Sequence, residues 1–267
     1  MNDYFKTNQQ LWDVKTAFHK NSEFYDLENF KKGKTSLNKF ELDALGDVSG
    51  KSMLHLQCHF GQDTLSWARM GAKCTGADLS GKSIELARQL NEELELDATF
   101  IQSNVLELDQ NLEGQFDIVF TSYGTICWLP DLNQWAKMIN HFLKPGGTFY
   151  IVEFHPVINM LDWDNNTFAY PYFNPGHPFE EVEEGTYADK NANIKLKEYF
   201  WLHSISQVMT PLLKHELQLE EFKEFPQSPY NCFPNMKSVE NDMYVFWDEK
   251  LGLPHVYSIK MKKPKKD

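Results

Sequence analysis

The residues best suited to chemistry lie between Met53 and Asp78. The run Met53-Leu-His-Leu-Gln-Cys-His-Phe-Gly61 continues through Gln62-Asp63-Thr64 and closes at Gly76-Ala77-Asp78. It reads as strand, tight turn, helix, second strand, acidic residue. An acid at a strand tip about 20 residues beyond such a turn can accept both hydroxyls of a ribose, as in dinucleotide folds. The turn itself offers backbone N–H groups and a helix N-terminus to an anionic group. Gln57, Cys58, His59 and Gly61 would present backbone atoms and side-chain edges to the far end of such a cofactor. Asp63 and Thr64 open the helix as caps, contacts or both. A pyrophosphate requires G-x-G-x-x-G so that it can approach bare backbone. Here Gln57 and His59 fill the glycine positions before Gly61, which disfavours a dinucleotide. A cofactor ending in an amino acid is less demanding, because a carboxylate needs fewer open amides.

Other candidates stand at segment ends. Asp78, with Leu79 and Ser80 behind it, either contacts ribose or only caps the helix that follows. Asn104 and Val105 follow a third strand-like segment, as cofactor contacts or as a turn. Thr121, Ser122 and Tyr123 end a fourth, where open α/β sheets bind ligands. His155 and His203 each close a strand-like segment; each is either structural or a substrate contact or base. Tyr25, Trp128 and Trp201 are pocket walls or core. His55, Cys58 and His59 do not suggest a metal site, because alternate strand residues point to opposite faces and no second ligand cluster follows.

The elements that must hold these groups alternate. Met53–Leu56, Lys73–Ala77, Ala98–Ile101, Phe116–Thr121 and Thr148–Phe154 read as buried strands. Gln62–Met70, Ser83–Leu94 and Leu132–Leu143 carry apolar residues at helical spacing, the last stopping at Lys144-Pro-Gly-Gly147. Strands alternating with helices imply a parallel sheet with right-handed crossovers. Before them, Asp3–Lys20 and Leu37–Leu45 read as helices too few to form a core of their own. After Pro156 the pattern breaks. Residues 157–195 show no clean period but bring Trp163, Phe168, Tyr170, Tyr172 and Phe173, which fits a lid or binding loop. Lys197–Leu202 alternates, Ser204–Glu216 is helical with Pro211 as a kink or second start, and Gln218–Phe225 and His255–Met261 read as strands flanking a second irregular insertion, 226–254.

Leu54-His-Leu-Gln-Cys-His-Phe-Gly61 resembles the Leu-Asp-Leu-Gly-Cys-Gly-Thr-Gly motif of class I S-adenosylmethionine-dependent methyltransferases. His-Leu-Gln-Cys-His followed by Gly-x-Asp-Thr-Leu is similar to a bacterial subgroup of small-molecule type. The likeness runs from about Lys51 to Pro156, with further support to Pro264, and departs at the leading aspartate and two glycines. The resemblance implies a Rossmann-like, mostly parallel seven-stranded sheet with a terminal antiparallel strand, helices on both faces and an N-terminal helical cap. It implies one domain over 1–267, with the cap at 1–50, the cofactor core at 51–156 and substrate-cap insertions at 157–195 and 226–254. It implies S-adenosylmethionine as cofactor, Leu79 against adenine, Asn104 reading the adenine amino group, and Thr121-Ser-Tyr-Gly124 near the transferable methyl. That tetrapeptide differs from the Asn/Asp-Pro-Pro-Tyr/Phe of enzymes acting on amide nitrogen, which argues against DNA or protein-amide acceptors. The expected activity is methyl transfer to a small-molecule acceptor; a non-catalytic binding protein for the cofactor or its demethylated product is the alternative. A nicotinamide oxidoreductase, the third reading, suits Gln57 and His59 poorly.

Composition sets outer bounds. Among 267 residues, 42% are hydrophobic and 14% aromatic, enough for a large core rather than a disordered chain. A formal net charge of -12 opposes non-specific binding to nucleic acid or an anionic membrane. The basic run Lys260, Lys262, Lys263, Lys265 and Lys266 reads as a solvated tail. Cys58, Cys74, Cys127 and Cys232 form no C-x-x-C pair, hence no disulfide or zinc framework. No basic-then-apolar leader opens the sequence, and no apolar run approaches the roughly 20 residues that span a bilayer, so a cytoplasmic protein is expected.

Overall fold

Short apolar runs become strands here because each is buried on both faces by the helices that follow it. The computed structural model describes residues 3–162, 167–246 and 252–265. Helices α1 (Asp3–His19), α2 (Leu27–Lys31) and α3 (Lys39–Leu45) precede an alternating core. The core is β1 (Ser52–Leu56), α4 (Gln62–Arg69), β2 (Lys73–Asp78), α5 (Gly81–Glu93), β3 (Thr99–Gln102), β4 (Phe116–Thr121), α6 (Leu132–Phe142) and β5 (Leu143–Phe154). Small pieces follow: β6 (Leu161–Asp162), β7 (Thr167–Phe168) and the hairpin β8 (Phe179–Glu184) with β9 (Lys195–Phe200). Then come α7 (Ile205–Lys214), β10 (Gln218–Phe225), the short pair β11 (Lys237–Ser238) and β12 (Tyr244–Val245), and β13 (Val256–Lys262).

The main sheet has the order β10-β13-β5-β4-β1-β2-β3. Strand β13 runs antiparallel to both neighbours, and the other pairings are parallel. The winding reverses between β1 and β4, which opens a crevice at their carboxyl ends. Pleat alternation sorts the side chains. Leu54, Leu56, Val119, Phe149, Ile151 and Ile259 pack with α6 and α7 on one face. Met53, Ile118, Phe120, Tyr150 and Val152 pack with Trp67 and Leu37 on the other. Each such buried side chain contributes about 1.5–3 kcal/mol. Helix starts are fixed by caps: Asp131 accepts from the Asn133 and Gln134 amides, and Ser80 accepts from Ser83 N at 3.0 Å.

Four elements differ from the sequence reading. Strand β8 lies inside the stretch without visible period, because its glutamates occupy both faces and erase the polar–apolar alternation. Helix α2 is a short piece in the polar 21–34 segment. Strand β5 begins at Leu143, so the Lys144-Pro-Gly-Gly turn is drawn into pairing with β4 through Phe116↔Leu143. Helix α7 continues through Pro211, one turn before its end. Trp163 and Lys266 lie outside the described residues, as do parts of both insertions.

Helix α1 is fastened to two distant parts of the chain. Asn8, 2% exposed, donates to Tyr199 O at 2.7 Å and accepts from Tyr199 N at 2.9 Å, which closes β9 onto it. Asp13 Oδ1 accepts from Ser80 Oγ and Lys82 N, and Thr16 Oγ1 meets Ser83 Oγ at 2.7 Å. The helix therefore bridges α5 and the hairpin. Replacing Asn8 by Ala leaves both Tyr199 backbone groups unpaired, at about 1–3 kcal/mol for each buried group left unsatisfied. Urea denaturation of N8A should show a loss in that range; an unchanged midpoint would mean α1 is not bound to β9 through this residue.

Candidate functional site

The turn after β1 is left-handed at three alternate positions: Gln57 (φ 56), His59 (φ 49) and Gly61 (φ 80). These are the three positions at which the family motif has glycine. For Gln and His this geometry costs about 1–2 kcal/mol each, and side-chain bonds offset it. Gln57 Nε2 donates to Thr125 O at 2.8 Å. His59 Nδ1 lies 2.9 Å from Ser83 Oγ, and its Nε2 lies 3.1 Å from His19 Nδ1. Gly61 has no such freedom, since a Cβ there would come within 2.6 Å of Phe100 Cε1. The departure from glycine at Gln57 and His59 thus preserves the turn while adding two anchored side chains.

A cavity of about 1460 Å³ opens above the carboxyl ends of β1, β2 and β4. Gln57, Cys58, His59, Gly61 and Asp63 line it from the turn. Asp78 and Leu79 enter from the tip of β2, Asn104 and Val105 from the loop after β3. Ser122, Tyr123 and Trp128 enter from beyond β4, Tyr25 from the N-terminal segment, and Trp201 and His203 from beyond β9. Asp78 Oδ2 accepts from His59 N and Oδ1 from Ser80 N, both at 2.8 Å, so the carboxylate ties the turn to β2 and keeps further lone pairs. Asn104 Oδ1 accepts from Leu106 N at 3.1 Å, the local turn bond that was the alternative to a ligand contact.

Four expected site residues stand outside the cavity wall. Thr64 is fully buried, its Oγ1 2.8 Å from His55 Nδ1. Ser80 is spent as the cap of α5 and on Asp13. Thr121 is enclosed within the sheet. His155, expected as a base, is drawn to the far edge: its Nε2 lies 2.9 Å from Glu224 Oε1 on β10, and its Nδ1 accepts from Val157 N. His203 does reach the cavity, yet its Nε2 is 2.9 Å from Leu129 O and its Nδ1 3.4 Å from Asn174 Nδ2. The ring is a brace between two loops.

Several wall residues carried no sequence signal. Lys15 is 2% exposed on α1, and Tyr187 and Tyr230 come from the insertions; Tyr187 bonds the Tyr25 hydroxyl. Glu153 could have been found as the one acid in an apolar strand. Its carboxylate accepts from the amides of Thr125, Ile126 and Phe154 and organises the loop after β4. Burial shifts several acids and histidines of the site. It raises the Asp78 and Asp63 carboxyls to about 6 and pushes Glu153 up. It holds His55 down to about 3, His203 to about 4 and His59 well below the usual range. Neutral histidines and carboxyl groups raised above their usual range therefore line the cavity. Among the described residues, no group of three or more His, Cys, Asp or Glu is placed to hold a metal ion.

Residues 54–151 match the methyltransferase domain family. An uncharacterized methyltransferase of Synechocystis is 33% identical over 132 residues, covering 49% of this chain and 60% of that one. A ubiquinone biosynthesis O-methyltransferase of Alkalilimnicola ehrlichii is 25% identical over 170 residues, covering 62% and 66%. The crystal structure of a putative S-adenosylmethionine-dependent methyltransferase from Listeria monocytogenes superposes with a TM-score of 0.57 at 18% identity, over 85% of this chain and 97% of that one. Residues 54–151 thus resemble a methyltransferase domain, and the seven-strand order and left-handed turn are similar to those of class I S-adenosylmethionine-dependent methyltransferases. It spans about three fifths to two thirds of the length of these two curated relatives. Among the described residues no helix is long and apolar enough to cross a membrane.

One buried acid gives a measurable signature. Glu41 on α3 is fully buried, accepts from Asn38 N at 2.6 Å and from Tyr123 OH at 3.0 Å, and burial raises its carboxyl from 4.5 to about 8. The native state then holds a proton that the unfolded chain has released, so stability falls as pH rises from 4.5 towards 8. The depressed histidines act with the opposite sign, but only below about 6.5. Between pH 6.5 and 8 the slope should approach about 1.4 kcal/mol per pH unit and flatten in Glu41→Gln. Chemical denaturation across that window checks this; an identical slope in the variant would refute the buried proton.

Proposed function

We propose that this chain transfers the methyl group of S-adenosylmethionine to a small-molecule acceptor. The observation that carries the reading is the Asp78 carboxylate, facing the cavity from the tip of β2 and bonded to the left-handed Gln57–Gly61 turn. The donor set suits such a cofactor. Asp78 keeps lone pairs for ribose hydroxyls, Leu79 and Val105 offer apolar surface to a base, and the buried Gln57 Oε1 has no partner among the described residues and can accept from an ammonium. At about 1460 Å³ the cavity exceeds the roughly 300–1,000 Å³ that one drug-sized ligand needs, which leaves room for an acceptor beside the cofactor. A relative named for O-methylation in ubiquinone biosynthesis supports a small acceptor.

Bound S-adenosylmethionine would supply an electrophilic methyl on a charged sulfur. The chain's own residues align and shield, and alignment accounts for much of the rate in such a displacement. Gln57, Cys58, His59, Gly61, Asp63, Asp78, Leu79, Asn104, Val105 and Ser122 form the cofactor half. Tyr25, Tyr123, Trp128, Trp201 and His203 form the acceptor half. His203 serves there as a neutral contact rather than a base, since both ring nitrogens are engaged. The whole chain acts as one methyltransferase domain, with 1–50 as roof, 51–156 as cofactor core, and 157–195 with 226–254 as acceptor wall. Its net charge of -12 suits a cytoplasmic enzyme without nucleic-acid or membrane partners.

Isothermal titration with S-adenosylmethionine and S-adenosylhomocysteine tests the reading; a wild-type protein that binds neither would overturn it. Asp78→Ala should weaken binding about 10- to 100-fold, one charged hydrogen bond being worth about 1.5–3 kcal/mol, with circular dichroism unchanged. Tight binding without turnover over a broad metabolite panel would point to a binding protein instead.

A further inference from the structure

The inner face of the β8–β9 hairpin carries Glu181, Glu183 and Glu198, while Glu180, Val182 and Glu184 face outward. The register sets Glu181 directly across from Glu198. Like charges in that relation are destabilising. Among the described residues, Lys15 is the cation at this end of the cavity. Its Nζ lies 2.6 Å from Glu183 Oε2 and 3.4 Å from Glu198 Oε2, over the rings of Trp12 and Trp128 at 5.3 and 5.7 Å. One ammonium thus faces three carboxylates, and among the described residues Glu181 has the Tyr170 hydroxyl as its hydrogen-bond partner. Burial keeps His203 neutral, so it cannot make up the difference. A separate observation points the same way. Tyr257, 1% exposed, stands in the cavity wall, paired across the sheet with Glu153, and its hydroxyl has no partner among the described residues. Glu153 holds the Thr125 and Ile126 amides and Lys15 lies over Trp128, so these groups meet at the loop after β4.

We infer that the methyl acceptor is a small molecule that carries an amine and is recognised through its ammonium ion, with Glu181 and Glu198 holding the charge, Trp12 and Trp128 flanking it, and Tyr257 accepting a further hydrogen bond. This rests on the methyltransferase reading and adds the acceptor's class. An ammonium completes the charge balance that Lys15 leaves open, and aromatic faces attract cations where water is excluded. A carboxylate-bearing acceptor would meet like charge on three sides.

The test is calorimetric titration with phenethylamine, 2-phenylethanol and phenylacetate, which share one skeleton and differ in charge. It is run on the protein saturated with S-adenosylhomocysteine and on the cofactor-free protein. Phenethylamine should bind at least about tenfold more tightly than the other two. Glu181→Gln and Glu198→Gln should each remove about tenfold of its affinity while leaving that for S-adenosylhomocysteine unchanged. Glu181→Gln guards against misfolding, because its amide can still meet Tyr170, whereas Glu198→Gln also disturbs Lys15. No amine binding in either form of the protein, alcohol or acid binding as tightly, or an amine preference that survives both substitutions would overturn the inference. Loss of S-adenosylhomocysteine binding in the wild type would instead strike at the methyltransferase reading.

Discussion

The site depends on one backbone constraint, the alternation of left-handed residues through Gln57, His59 and Gly61. That path lets Cys58 N reach Ala77 O and His59 N reach Asp78. Glycine would adopt it freely. Here two of the three residues are held by their side chains instead, so the turn is stable only when its neighbours are in place. Gln57 needs Thr125 O; His59 needs Ser83 and His19. Thr125 is in turn fixed by Glu153. The cofactor turn, the loop after β4 and the N-terminal helix thus share one hydrogen-bond network.

This network explains why the roof belongs to the site. Helix α1 covers His59 with Trp12 at 5.2 Å between ring centroids, and reaches the hairpin through Asn8 and Lys15. Enclosure raises the acids and lowers the histidines, as burial without an opposite charge must. Glu41 shows the sign clearly: its neighbour Asp63 adds repulsion, and only amide and hydroxyl donors oppose it. An enclosed interior suits a displacement in which charge on sulfur disappears, since water would stabilise the starting charge more than the product.

The alternating core was legible because its strands are buried on both faces and read as apolar runs. Asp78 was legible for a related reason, as the first acid after such a run. What failed to show was everything set by long-range contact. His155 closes an apolar strand just as a ligand-facing residue would, but β10 supplies Glu224 on the other side and turns the ring away. Asn104 lines the cavity, and its carbonyl also accepts from its own turn, so both readings of that residue remain compatible with the structure. Lys15 and Tyr230 meet the cavity across gaps in sequence that periodicity cannot bridge. Strand β8 hides because its inner face is acidic, and a polar residue facing inward looks like one facing water.

That last failure also carries information. Local alternation breaks where function competes with packing, and the hairpin breaks it with acids on a face that ought to be apolar. Stability alone would favour Leu or Val at Glu181, since a half-buried carboxylate beside another carboxylate is poorly paired. The matching apolar positions Phe179 and Phe200 stack at 5.5 Å and show that the same face can pack in the ordinary way. The acids therefore sit beside a working hydrophobic contact, on the strands nearest Lys15, where the cavity walls come from α1 and the hairpin rather than from the sheet. Chemistry common to the fold resides at the sheet's carboxyl edge. If the hairpin carboxylates select the acceptor as inferred, a change in the hairpin should alter acceptor binding while leaving the Asp78 side of the cavity as it is.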